Sequence, residues 1–160
     1  MRLFLAFDLP RHMRDYIGAV QQFLKNRGIT GKFTSPENCH LTVLFLGEQS
    51  ETAPDTLTET LGPLCARTKT FELACAGLGS FRLPPRLMFL DWLQYPEDSY
   101  VFFAENVRRE VAEAGFELKN SVLHKAPKPH VTLVRFRKSR ESFPLKELAK
   151  LQDHRWHWLE

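Results

Sequence analysis

Cysteine is scarce. Cys39, Cys65 and Cys75 are the only three in 160 residues, and no two of them form a CxxC pair. An odd count without paired spacing excludes a disulfide framework and predicts reduced thiols in a reducing compartment, the cytoplasm. Each is expected to be a small buried apolar side chain rather than a nucleophile. Long hydrophobic runs are also missing: none approaches the roughly 20 residues of a membrane-spanning helix, so no membrane partner is expected. The N-terminal run Leu3-Phe4-Leu5-Ala6-Phe7 is too short for a secretory signal and is closed by Asp8. There is no low-complexity stretch and no linker. Strong charge of one sign is absent as well. The formal net charge is +3, which admits an anionic substrate but lacks the concentrated basic face of a dedicated duplex binder.

What the chain does have is apolar material. It is 43% hydrophobic and 12% aromatic, enough to bury the core of one compact domain or of two small lobes sharing a cleft. The densest turn region, Gly77-Leu78-Gly79-Ser80-Phe81-Arg82-Leu83-Pro84-Pro85, lies at mid-chain between two stretches of similar grammar. The first opens with a strand at 2–8, apolar on both faces like a central strand. Pro10 then introduces a helix carrying Met13, Tyr16, Ile17, Val20, Phe23 and Leu24, which Gly28 closes. A turn at 35–38 leads into a strand from His40 to Gly47. The second stretch repeats the order: a strand at 86–92, a helix capped by Ser99 or Asp98 and closed by Gly115, the turn Pro127-Lys128-Pro129, and a strand from His130 to Phe136. We read this as an internal duplication. Between the stretches lie a helix at 52–67, which Pro63 should kink or end, and a strand at 71–76. A short helix at 145–151 and a strand at 154–160 are expected at the end of the chain.

Two motifs carry chemistry, His40-Leu41-Thr42 and His130-Val131-Thr132. Positions i and i+2 of a strand face the same side, so each motif projects an imidazole beside a hydroxyl while Leu41 and Val131 turn to the core. Buried polar pairs are costly unless partnered, whereas a cleft wall keeps them solvated. Two such strands related by an approximate two-fold place two imidazoles and two hydroxyls around one point. Phosphodiester cleavage needs a base for the attacking oxygen and an acid for the leaving one, and histidine serves either role near neutrality. The threonine hydroxyls can donate to the non-bridging phosphate oxygens. No metal and no cofactor is needed.

Asn38-Cys39-His40-Leu41-Thr42-Val43-Leu44-Phe45-Leu46-Gly47-Glu48 resembles the first signature of the two-histidine phosphoesterase superfamily, in its LigT-like RNA 2′,3′-cyclic phosphodiesterase (2′-5′ RNA ligase) branch. Lys128-Pro129-His130-Val131-Thr132-Leu133-Val134-Arg135 resembles the second, and Arg2-Leu3-Phe4-Leu5-Ala6-Phe7-Asp8-Leu9-Pro10 resembles the opening of that branch. The resemblance implies a bilobal, duplicated α+β fold with a pseudo-two-fold, in which two mainly antiparallel sheets form a central cleft flanked by helices. It implies a single domain of two lobes over 1–160; family chains usually continue past the equivalent of Trp158, so the end at Glu160 is either native or a truncation. It implies hydrolysis of RNA or nucleoside 2′,3′-cyclic phosphates to 2′-phosphates, with 2′-5′ RNA ligation as the reverse reaction, by a monomer. His40 would be the proton donor, His130 the proton acceptor, and Thr42 and Thr132 the phosphate-binding residues. The alternatives are a non-catalytic RNA-end or nucleotide-binding module, or a phosphodiesterase for another cyclic phosphate or a 2′-5′ oligonucleotide.

The resemblance also brings Arg135 to the phosphate. It lies five positions after His130, however, so strict alternation puts it on the opposite face unless a bulge intervenes. Lys32, Lys125, Lys128 and Arg137 either attract an RNA backbone or are solvated surface charges. The 13 phenylalanines are mostly core by expectation; one at the cleft could stack on a base, and the sequence does not choose which. His154 and His157 lack nearby carboxylate or thiol partners at ligand spacing, and His12 and His124 carry no pattern.

Overall fold

Leu3 and Leu5 alternate with Arg2, Phe4 and Ala6, and the first strand, β1 (Arg2–Asp8), turns both leucines onto a core while Phe4 stays 46% exposed. We describe the protein from a computed structural model covering residues 1–81, 85–123 and 125–136. The expected helix at 145–151 and strand at 154–160, with His124, Arg137, His154 and His157, lie outside those residues. The remaining elements are α1 (Arg11–Asn26), β2 (Lys32–Phe33), a 3-10 turn (Pro36–Asn38), β3 (His40–Glu48), α2 (Ala53–Arg67), β4 (Glu72–Gly79), β5 (Leu87–Tyr95), α3 (Ser99–Glu113), α4 (Asn120–Leu123) and β6 (His130–Arg135). The class is α+β. Among the described residues, β1 and β3 form one sheet and β2-β6-β5-β4 form another. The main-chain N–H of Gln49 donates to Met1 O at 2.7 Å, so β1 starts where β3 ends and the pair is antiparallel. β6 is antiparallel to both β2 and β5.

The chain forms two compact units, and they are not its two halves. Among the described residues, the first comprises Met1–Phe7, Thr42–Leu73 and Gln94–Pro129; the second comprises Asp8–Leu41, Ala74–Leu93 and His130–Phe136. The two strand–helix–strand stretches are β1-α1-β3 and β5-α3-β6, as the sequence order predicts. Each unit combines the strands of one stretch with the helix of the other. In the first unit α2 packs on α3, and Leu44, Leu46, Leu57, Leu64, Val107 and Val111 form the core. In the second, α1 presents buried Ile17, Val20 and Leu24 and packs on β6, whose Val131, Leu133 and Val134 are fully buried. Each such aliphatic side chain stabilises the fold by about 1.5–3 kcal/mol through removal from water.

Four expectations need correction. β1 is not a central strand among the described residues, because β3 is its only neighbour there. Pro63 does not end α2, which continues to Arg67. Pro63 and Glu59 are both exposed, so water can hydrate the carbonyl that proline leaves without a donor, while Leu57 and Leu64 anchor the helix on either side. Neither Ser99 nor Asp98 caps α3 with its side chain. Instead Gln94 Oε1 accepts the N–H groups of Tyr100 (2.9 Å) and Val101 (3.2 Å), because the end of β5 runs past the helix start. Finally, Cys39 is buried but Cys65 is exposed, since it lies about 100° around α2 from buried Leu64.

Candidate functional site

β6 opens with His130, and its pairing with β5 decides what faces what. Opposed residues are Asp91↔His130, Leu90↔Val131, Phe89↔Thr132, Met88↔Val134 and Leu87↔Arg135. Opposed residues of antiparallel strands project to the same side. Leu133 has no opposite number, so it is the extra residue of a β-bulge at the register shift between Met88 and Phe89. The consecutive Leu133 and Val134 are accordingly both fully buried. The bulge reverses the alternation once. It returns Arg135 to the face of His130 and Thr132, which strict period-two reading denies it. β2 extends this face, because Lys32 is opposed to Arg135. One side of the second unit's sheet therefore carries an imidazole, a hydroxyl, a guanidinium and an ammonium, and α1 covers the other side.

The bulge is held by a residue that motif reading overlooked. Gln21, 4% exposed, donates from Nε2 to Leu133 O at 3.1 Å and to Thr34 O at 2.5 Å. Leu133 O also accepts the Thr34 N–H at 3.0 Å. The signal was present: Gln21 is a polar residue on the stripe Ile17, Val20, Leu24, where a helix facing a sheet calls for an apolar one. Gly31 has a steric reason beside the same bulge. A Cβ there would lie 2.7 Å from a Val134 methyl and 2.8 Å from Arg135 O.

The His130 ring sits in an aromatic corner. Phe89 meets it at 5.4 Å between centroids and Phe81 at 4.9 Å, the latter edge to face at 88°. Phe81 and Phe89 lie 4.5 Å apart at 31°. Gly79 makes room for this, since a Cβ would fall 2.5 Å from the Phe89 ring. Asp91, opposite His130, accepts the Trp92 N–H at 3.0 Å. Sequence reading singled out neither Phe81 nor Phe89 nor Asp91, because only the register brings them to His130.

His40 belongs to the same unit as His130. Its Nδ1 lies 2.9 Å from Asn38 O. A carbonyl oxygen can only accept, so Nδ1 carries a hydrogen in this contact. The preceding residue, Cys39, touches both Thr34 O (3.9 Å) and Thr132 O (3.8 Å) through Sγ. Burial, with a smaller contribution from the Glu37 carboxylate, pushes the Cys39 thiol up to about 11, so it stays neutral and structural. Thr42 is held in the first unit, where buried Tyr100 donates from its hydroxyl to Thr42 O at 2.8 Å. Both motif threonines thus have their main-chain carbonyls fixed by a buried side chain, and both side chains are half-buried.

Lys125 and Lys128 are exposed in the first unit, where Lys125 O accepts from Arg108 at 3.1 Å. His12 is exposed on α1. Among the described residues no group of three His, Cys, Asp or Glu side chains is placed to hold a metal ion, and no helix is long and apolar enough to cross a membrane.

Residues 7–89 match the family model of the LigT-like phosphoesterases, a span that includes the first His-x-Thr motif. The RNA 2′,3′-cyclic phosphodiesterase of Methanothermobacter thermautotrophicus is 29% identical, over 92% of this chain and 78% of its own. The Escherichia coli enzyme of the same name is 31% identical, over 84% and 71%. Among solved structures, TT0787 of Thermus thermophilus superposes with a TM-score of 0.69 at 33% identity, covering 90% of this chain and 79% of its own. E. coli LigT complexed with 3′-AMP superposes with a TM-score of 0.65 at 25% identity, covering 89% and 77%.

Proposed function

The chain belongs to the LigT-like phosphoesterase family, and from that premise we propose that it hydrolyses 2′,3′-cyclic phosphate ends of RNA or nucleotides to 2′-phosphates. The observation that carries this reading is the face of β6 on which His130, Thr132 and Arg135 stand together, with Lys32 beside them. His130 takes a proton from water as its oxygen bonds to phosphorus. His40 delivers a proton from Nε2 to the 3′ oxygen as the P–O3′ bond breaks. Thr42 and Thr132 donate to the non-bridging oxygens, where negative charge grows, and Arg135 compensates that charge. With a 5′-hydroxyl in place of water, the same pair joins it to the cyclic phosphate as the P–O3′ bond breaks, giving a 2′-5′ linkage. The two units act as one monomeric phosphoesterase domain. We place the activity in the cytoplasm, in keeping with three free cysteines.

The test is incubation with 2′,3′-cyclic AMP in EDTA, with 2′-AMP and 3′-AMP resolved chromatographically. Formation of 2′-AMP is expected. Tight binding without turnover would identify a nucleotide-binding module instead, and 3′-AMP as the product would reverse the assignment of the leaving oxygen.

A further inference from the structure

Phe81 follows the mid-chain glycines and lies beside His130, yet 52% of its surface is exposed. A phenyl ring fixed next to a site and left half open invites a planar partner. Its position is set from two directions. Phe89, 1% exposed, stacks against one side at 4.5 Å, and the His130 ring stands perpendicular at 4.9 Å. Gly79 admits the Phe89 ring and so supports the stack from beneath. Phe89 and His130 cover part of the ring, and about half of its surface stays open to a planar partner.

Its neighbour defines what it would stack. The inference rests on the reading above, in which His130 faces the attacking oxygen. In hydrolysis that oxygen is water, which needs no platform. In 2′-5′ joining it is the 5′-hydroxyl of a second nucleoside, whose base is tethered to that oxygen through one ribose and so lies on the His130 side of the site. We propose that Phe81 is the base-stacking platform for this second, 5′-hydroxyl-bearing nucleoside. The site therefore takes 2′-5′-linked dinucleotides, or a cyclic phosphate end plus a 5′-hydroxyl end, as well as the cyclic phosphate alone. In cleavage of a 2′-5′ dinucleotide, His40 removes the 3′-hydroxyl proton, O3′ bonds to phosphorus, the P–O5′ bond breaks, and His130 protonates the departing 5′ oxygen. The products are a 2′,3′-cyclic phosphate and a free nucleoside, with no oxidant or energy donor consumed.

The experiment compares two substrates in one set of variants: 2′,3′-cyclic AMP and adenylyl-(2′→5′)-adenosine, with wild type, Phe81→Leu and Phe81→Trp. Stacking on an aromatic ring is worth roughly a factor of ten to a hundred per base. Phe81→Leu is expected to lose at least tenfold more kcat/KM on the dinucleotide than on cyclic AMP, mostly through KM, and Phe81→Trp to restore it. Equal losses on both substrates would show that Phe81 merely props the His130 ring, and the proposal would fall. It would fall equally if wild type hydrolyses cyclic AMP but leaves the dinucleotide intact. His130→Ala tests the underlying reading separately: cyclic AMP turnover surviving in that variant would overturn the acid–base assignment itself.

Discussion

Cys39 Sγ lies 3.8 Å from Thr132 O, so the residue before one motif histidine touches the main chain of the strand that carries the other. The contact is made from the core side, where Cys39 is 2% exposed. On β6 itself, His130 and Thr132 stand on the face opposite to buried Val131.

This contact has a pH signature. The folded protein holds the Cys39 thiol at about 11, above its usual 9.0, chiefly by burial. The fold therefore retains a proton that the unfolded chain releases first, and stability declines as pH climbs from about 9 to about 11. Tyr16 and Tyr100 are likewise raised by burial and extend the decline further. Chemical denaturation of wild type and Cys39→Ala across pH 8–11 should give converging midpoints, with the variant less stable at pH 8 and less sensitive to alkali. Parallel curves would show that the thiol is not the titrating group.

The histidines make a second prediction. In the proposed mechanism one works neutral and the other protonated, so kcat/KM for 2′,3′-cyclic AMP should follow a bell-shaped pH profile. His130→Ala and His40→Ala should each lose about a hundredfold or more at the optimum, the usual scale of general acid–base catalysis. Residual activity should lack the acidic limb in His130→Ala and the basic limb in His40→Ala. A profile retaining both limbs in either variant would remove that residue from the mechanism.

The sequence showed the two motifs, the helix at 11–26 and the strands at both motifs, because apolar spacing and proline–glycine punctuation are local signals. It did not show where Arg135 points. That depends on a bulge at Leu133, and a bulge is a property of two paired strands rather than of one. Phe81 and Gln21 were invisible as partners for the same reason: their contacts cross 49 and 112 positions of chain. Cys65 was misread because burial around a helix depends on which stripe packs, and α2 buries Leu57 and Leu64 instead.

Gln21 yields a third prediction. Replacing it by leucine leaves Thr34 O without that donor and removes one of the two bonds to Leu133 O. Removing a partner from a buried polar group costs about 1–3 kcal/mol. Gln21→Leu should be destabilised by that amount in urea denaturation. It should also raise KM for cyclic AMP, since a loosened bulge no longer holds Arg135 on the His130 face. Unchanged kinetics alongside lowered stability would confine Gln21 to packing.

Arg135 allows the sharpest check of the bulge. A hydrogen bond from a charged donor contributes about 1.5–3 kcal/mol, so Arg135→Met should raise KM for cyclic AMP about tenfold to a hundredfold. Stability should change little, because the side chain is exposed. Arg135→Lys should recover only part of the loss: an ammonium supplies charge without the planar fork of a guanidinium. If Gln21 acts through Arg135, the two substitutions cannot each take their full toll together. The double variant Gln21→Leu/Arg135→Met should then show a KM close to that of Arg135→Met alone, while the stability loss stays that of Gln21→Leu. Additive effects on KM would mean that Gln21 reaches the substrate by a route other than the guanidinium.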